Sequence, residues 1–310
     1  MIRRALARFL RFALERDTAF QKAFEHEVDC HKSAFSIRDG FFGAKHFLTL
    51  GYQRNEIQYQ ASDLQLSQCV AKIQQAWVHL GLTSPHFSVI SDKQFLPENL
   101  AQNIDHFWAS GDMELSVIKG MLERHAFGNL APKVCVEYGC GVGRVTNAIA
   151  PHFRKLYGYD ISSGHLEIAK QRAEVLGLNN CQFLLCNNKL LPEFEPCDFF
   201  YSRLVLQHNP PPVIFELVKC ALRALTAGGI AIFQVPTYII GYRFNIEEWI
   251  TAEHPLDMQM HCLPQDIIFS AVMAENCELL EIQHDDSTGV EGVYVSNVFI
   301  VRKKNSHSAC

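Results

Sequence analysis

An apolar run, VCVEY, carries an acid at Glu137 and leads into three glycines, Gly139, Gly141 and Gly143, before the stretch RVTNAIA. Glycines permit a tight turn and a close ligand approach, while the first N–H groups of the following stretch face what binds there. The spacing is GxGxG, with an acid two residues before the first glycine, where a dinucleotide fold wants GxGxxG. The next apolar run ends YGYD, so Asp160 stands where an acid binds both hydroxyls of a ribose in a bidentate way. Imidazole titrates near neutrality, which makes His208 in LVLQHNPPP the first candidate for a general base and His261 in DMQMHCLPQD the second. The plain alternatives are a His208 that caps the helix begun by the prolines and a His261 in a surface loop.

Hydrophobic periodicity divides the elements that must position these residues into two parts. Before residue 130 it is helical: over 1–30, roughly 57–80 and roughly 98–125, with 84–99 read as loop between the breakers Pro85 and Pro97. From Lys133 onward short apolar runs alternate with helical stretches. Strands are expected at 133–138, 155–160, 181–186, 197–202, 229–235, 278–284 and 293–302. Helices are expected at 143–152, 164–176, 211–225 and 264–275. Such alternation implies parallel pairing with helices on both faces. The last two strands have no helix between them and are expected to pair as an antiparallel hairpin. The fold class is therefore α/β: a doubly wound, mostly parallel seven-stranded sheet with an antiparallel edge hairpin, plus a helical N-terminal domain. The division is a helical N-terminal or cap domain at 1–128, the sheet domain at 129–304 and a tail at 305–310.

The 310 residues are 48% apolar and 20% charged, and 28 Lys+Arg against 33 Asp+Glu leave a net charge of −5. That balance speaks against a dedicated nucleic-acid binder. No apolar run is long enough for a membrane span. The arginines in MIRRALARFLRFALERD interrupt any secretory core, and the segment reads as an amphipathic packing helix. The 11 cysteines are scattered with no CxxC pair, which suits reduced thiols in the cytoplasm better than a disulfide framework or a metal site.

Taken in order, VEYGCGVGR, YGYDIS, FLLCNN with LLPEFEPCDFFYS, LVLQHNPPP and LTAGGIAIFQVP resemble the class I S-adenosylmethionine-dependent methyltransferase family over roughly residues 130–304. The resemblance implies S-adenosyl-L-methionine as cofactor and S-adenosyl-L-homocysteine as product. It implies that Glu137 and the backbone of Gly139 and Gly141, with Gly143 closing the loop, face the methionine part. Asp160 would hold the ribose and Ile161 would pack on the adenine. Asn187 stands where the family usually has an Asp toward the adenine amine, and Ser202 and Arg203 would border the methionine amino group.

Asn209-Pro210-Pro211-Pro212 lies several residues past the end of the fourth strand and no aromatic follows it. This separates it from the Asn/Asp-Pro-Pro-aromatic motif of amino-directed enzymes. The long insertion from about Pro236 to Pro264, with Tyr238, Tyr242, Arg243, Phe244, Trp249, His254 and Asp257, suits a lid over a sugar-like or aromatic acceptor. The stretch 106–127 resembles the lead-in helix of bacterial relatives associated with glycan or secondary-metabolite genes, which would put Trp108 and Ser110 near the methionine end. The expected activity is O-methylation of a small molecule or saccharide. The alternatives are N- or C-methylation of a metabolite, or a binding scaffold without turnover.

Overall fold

The computed structural model describes residues 56–186, 191–253, 255, 257–288 and 293–305. The helix expected over 1–30, Asn187 and His254 lie outside these residues. Helix α1 (Asp63–Thr83) starts at a capping box in which Ser62 accepts from the Gln65 backbone and the Gln65 side chain reaches back. The stretch read as loop folds after Pro85 into a short helix, α2 (Pro85–Val89), followed by one 3-10 turn at Lys93–Phe95. Proline at the first position costs such a helix nothing, because that N–H has no helical partner. Helix α3 (Leu100–Arg124) is the last helix before the sheet.

The sheet domain follows: β1 (Val134–Tyr138), α4 (Arg144–Ile149), β2 (Lys155–Asp160), α5 (Ser163–Val175), β3 (Cys181–Leu185), β4 (Cys197–Ser202) and α6 (Pro211–Ala224). After these come β5 (Leu225–Ile239), α7 (Ile246–Thr251), α8 (Gln265–Ala274), β6 (Cys277–His284) and β7 (Tyr294–Lys303). The seven strands run in the order β3-β2-β1-β4-β5-β7-β6. The first five pair in parallel, and β7 runs antiparallel between β5 and β6. The strand order therefore reverses between β1 and β4, and ligands bind beyond the carboxyl ends of the strands at such a switch point.

Two apolar layers cover the sheet. Cys69 and Ile73 of α1 join α6 and α8 on one face, and Ile118, Met121 and Leu122 of α3 join α4 on the other. Glycines let the cap come close. A Cβ on Gly81 would stand 2.0 Å from Ser162 Oγ, at the start of α5, and one on Gly111 would stand 2.2 Å from the Arg144 carbonyl oxygen. The nine described cysteines are free thiols. Burial raises them; the Cys69 thiol is pushed up to about 12. No described helix is long and apolar enough to cross a membrane, and no cluster of metal-ligating side chains occurs among the described residues.

Candidate cofactor and acceptor site

The glycine loop is built by left-handed backbone. Gly139, Gly141 and Gly143 have φ of 73°, 54° and 80°, a region closed to most side chains. The N–H groups of Gly139 and Cys140 donate to the Tyr159 carbonyl at 2.7 and 3.0 Å, which ties the loop to the end of β2. Gly141 N–H donates to Asp160 Oδ2 at 2.8 Å. Asp160 Oδ1 accepts from Ser162 N–H at 2.8 Å and from His165 Nδ1 at 3.3 Å. Two acceptor positions on each carboxylate oxygen make four, so one remains, on Oδ2, which serves one ribose hydroxyl where the sequence predicts a bidentate contact to both.

These groups border a cavity at the switch point. Its sheet side includes Glu137, Gly139, Gly141, Asp160 and Ile161, with Arg203, Leu204 and Val205 from the segment after β4. Its roof is the cap: Ile73 and Trp77 of α1, and Ser88 and Val89 of α2. Burial pushes the Glu137 carboxyl up to about 8 although the Thr146 hydroxyl donates to it and Arg144 lies near. Arg203 is clamped by Glu114 at 2.6 Å and Asp285 at 3.1 Å. Tyr201 donates to the same Glu114 oxygen.

Of the candidate cofactor residues, the fold brings together Glu137, Gly139, Gly141, Asp160, Ile161 and Arg203 around this cavity. Gly143 lies behind it as the N-cap of α4. Ser202 is fully buried and donates to the Tyr138 carbonyl, joining β4 to β1. Ser110 reaches the site indirectly, since Arg144 donates to its backbone and hydroxyl oxygens. Trp108 packs against Phe107 and His86 and lies under the Arg172 guanidinium.

A second cavity, of about 430 Å³, adjoins the first and shares Ile73 and Trp77 with it. Lys72, His208, Trp249 and Gln259 complete its inner wall, and Glu253 and Asp257 also border it. Lys72 Nζ donates to the Ala252 carbonyl at 2.6 Å and pins the end of α7 to α1. Directional hydrogen bonds decide the form of His208. Leu204 N–H donates to Gln234 Oε1, which turns the Gln234 amide nitrogen toward Thr288. Thr288 then donates to Gln207 Oε1, leaving the Gln207 amide nitrogen facing His208 Nε2 at 3.2 Å. Nδ1 faces the Gln259 carbonyl at 2.9 Å and must carry the proton. Burial lowers this imidazole to about 4, so it is neutral at physiological pH with its lone pair on Nε2.

His261 borders neither cavity. It is buried against Tyr242, Phe244 and Trp249, with the Tyr242 hydroxyl 2.7 Å from Nδ1. That aromatic cage holds the insertion to itself. Trp77, Ser88, Val89 and Arg144 were not legible as site residues. Trp77 sits in a helical stripe indistinguishable from core, and Ser88 in a stretch whose one helix signal is Pro85.

The chemistry of the cavity suits a nucleoside that carries an amino acid. Glu137 offers an oxygen to an ammonium and Asp160 one to a ribose hydroxyl. Arg144 and Arg203 border the same cavity, where a guanidinium suits a carboxylate, and among the described residues the buried Nε of each has no hydrogen-bond partner. Ile161, Ile73 and Val89 supply apolar wall for a base.

The chain is similar to several known proteins. A family profile described as a methyltransferase domain matches residues 135–229. A ubiquinone biosynthesis O-methyltransferase of Idiomarina loihiensis is 27% identical over 44% of this chain and 55% of its own length. A tRNA (guanine-N(7)-)-methyltransferase of Chloroflexus aggregans is 33% identical over 34% of this chain and 52% of its own. The chain thus spans about half the length of these relatives. Among solved structures, magnesium protoporphyrin IX methyltransferase from Synechocystis PCC 6803 aligns at 18% identity and a TM-score of 0.46, covering 65% of this chain and 87% of that one. The matched residues begin on β1, run through the glycine loop and Asp160, and end on β5, so the stretch that builds the cavity floor is the one that matches the methyltransferase-domain profile.

Proposed function

We propose that the chain transfers a methyl group from S-adenosylmethionine to an oxygen of a small-molecule or saccharide acceptor. The observation that carries this reading is the pair of adjoining cavities with Ile73 and Trp77 as common walls. Glu137, the glycine-loop backbone, Arg144 and Arg203 hold the amino-acid part of the donor. Asp160 takes a ribose hydroxyl on Oδ2, and Ile161 packs on the base. The bound donor supplies a methyl group already activated on a sulfonium, so the protein chiefly aligns the acceptor and keeps water out. A volume of about 430 Å³ is in the range of small-molecule sites.

His208 lies on the acceptor side with Nε2 as its only proton-accepting atom. A hydroxyl acceptor reaches that atom by displacing the Gln207 amide, and the imidazole then takes its proton. One observation favours a second reading. Both ring nitrogens of His208 already have partners, which suits an acceptor that needs no proton removed first, such as a neutral amine nitrogen. Calorimetric titration with S-adenosylhomocysteine, with NAD in parallel, tests the donor. Labelled methyl donor offered with phenols, sugars and amines then tests the acceptor. Micromolar homocysteine-product binding with methylated phenol or sugar supports the proposal. Binding of NAD alone overturns it, and methylation of amines only moves the reading to nitrogen.

A further inference from the structure

Asp160 is held from a direction that the glycine-loop pattern does not contain. His165, in the first turn of α5, is 1% exposed, and its Nδ1 lies 3.3 Å from Asp160 Oδ1. An ionised carboxylate only accepts, so Nδ1 is the protonated nitrogen in this contact. On the far side of the ring, Nε2 lies 2.9 Å from the Ser88 hydroxyl oxygen. Ser88 is also buried and stands 2.9 Å from the Pro85 carbonyl within its own helix. Ser88 has one hydroxyl proton and two acceptors within reach; turned from the Pro85 carbonyl to Nε2, it completes a chain of hydrogen bonds from α2 through Ser88 and His165 to Asp160.

Close packing keeps the two ends of this chain in register. Gly81, at the end of α1, leaves room for Ser162 Oγ. A Cβ on Gly164 would stand 2.8 Å from the Gly81 carbonyl oxygen. Trp77 lies with its ring 6.3 Å from that of His165. Three elements distant in sequence thus converge on one carboxylate.

The geometry points to Ser88 and His165 as positioning residues for the donor site, through which the cap sets the orientation of Asp160. This rests on the reading of the cavity as an S-adenosylmethionine site. Ser162 N–H and His165 fill both positions on Oδ1, and Gly141 N–H fills one on Oδ2. With the carboxylate plane held from both oxygens, its last acceptor position stays aimed at the ligand, and rotational freedom is removed before binding. Without His165, Oδ1 keeps a single backbone donor and the carboxylate can tilt. Without Ser88, the imidazole keeps Asp160 as partner but loses its tie to the cap.

The test is calorimetric titration of the full chain with S-adenosylhomocysteine, with circular dichroism and melting of each variant without ligand. His165→Phe keeps the ring volume and removes both nitrogens; affinity falls about tenfold or more, the loss of one charge-assisted hydrogen bond. His165→Asn places a donor near the former Nδ1 and recovers most of that loss. His165→Gln places its amide near the former Nε2 and recovers less. Ser88→Ala weakens binding about threefold or more. A merely structural histidine would lower the melting temperature in all three variants without ranking Asn above Gln in affinity. Wild-type affinity in His165→Phe, or Asn no better than Gln, overturns the inference, and the Asn–Gln comparison decides it should His165→Phe fail to fold. Absence of binding by the wild-type chain overturns the proposed function together with this inference, whereas tight wild-type binding with indifferent variants overturns the inference alone.

Discussion

Replacing Glu137 by glutamine should stabilise the fold, and by more as pH rises. The side chain is 4% exposed at the end of β1. Burial is the largest influence on its carboxyl and raises it from the ordinary 4.5 to about 8, against the opposing pull of the Thr146 hydroxyl and Arg144. Below pH 4.5 both folded and unfolded chains hold this proton, and the group makes no difference to stability. Between pH 4.5 and 8 the unfolded chain loses it while the folded chain keeps it. The folded state then binds more protons, so stability falls with pH. The loss accumulates at about 1.4 kcal/mol per pH unit, toward a ceiling near 5 kcal/mol above pH 8. Glutamine has the same shape, still accepts from Thr146 through its amide oxygen, and carries no such proton. Urea unfolding of wild type and Glu137→Gln at pH 5, 6.5, 8 and 9 should therefore show a difference in favour of the variant that is under about 1 kcal/mol at pH 5 and several kcal/mol at pH 9. A difference that stays flat with pH would refute the buried-carboxyl argument. The same variant should bind S-adenosylhomocysteine more weakly, because a bound ammonium draws the proton off Glu137 and meets a carboxylate in the wild type but only an amide oxygen in the variant.

Asp160→Ala removes the acceptor for the Gly141 and Ser162 N–H groups as well as the ribose contact, and should weaken S-adenosylhomocysteine at least about tenfold in calorimetry; unchanged affinity would show that the ligand does not use the end of β2. His208→Ala should lower methyl transfer to a hydroxyl acceptor by about a hundredfold or more, with donor affinity near normal. Undiminished turnover would assign His208 to structure alone. Gly81→Ala puts a methyl group 2.0 Å from Ser162 Oγ and should destabilise the docked cap by about 1–3 kcal/mol, read as a lower melting temperature. A wild-type melting curve would show that α1 does not dock closely there.

What the sequence determined by itself is whatever a local period or a local spacing encodes. Apolar runs alternating with helical stretches from Lys133 onward specify the strand–helix order, and the helix-free DDSTGVEG between the last two strands specifies their hairpin. Both follow from side-chain periods of 2 and 3.6 along the chain. Gly139, Gly141 and Gly143 were legible because only glycine readily adopts the left-handed backbone found there, and Asp160 because it ends the next strand. Tertiary structure alone decided which residues meet across the site. Trp77, Ser88 and Val89 roof the cavity because α1 and α2 dock on the far end of the sheet through Gly81, and no local pattern reports a contact made 77 residues away, as between Ser88 and His165. The same reason separates the two candidate histidines. His208 and His261 looked alike as loop imidazoles before helices, yet one borders the second cavity with its tautomer set by a chain from Leu204, and the other is enclosed by the aromatic rings of its own insertion. Type and spacing describe what a side chain can do; what surrounds it is set only when elements remote in sequence bury it together.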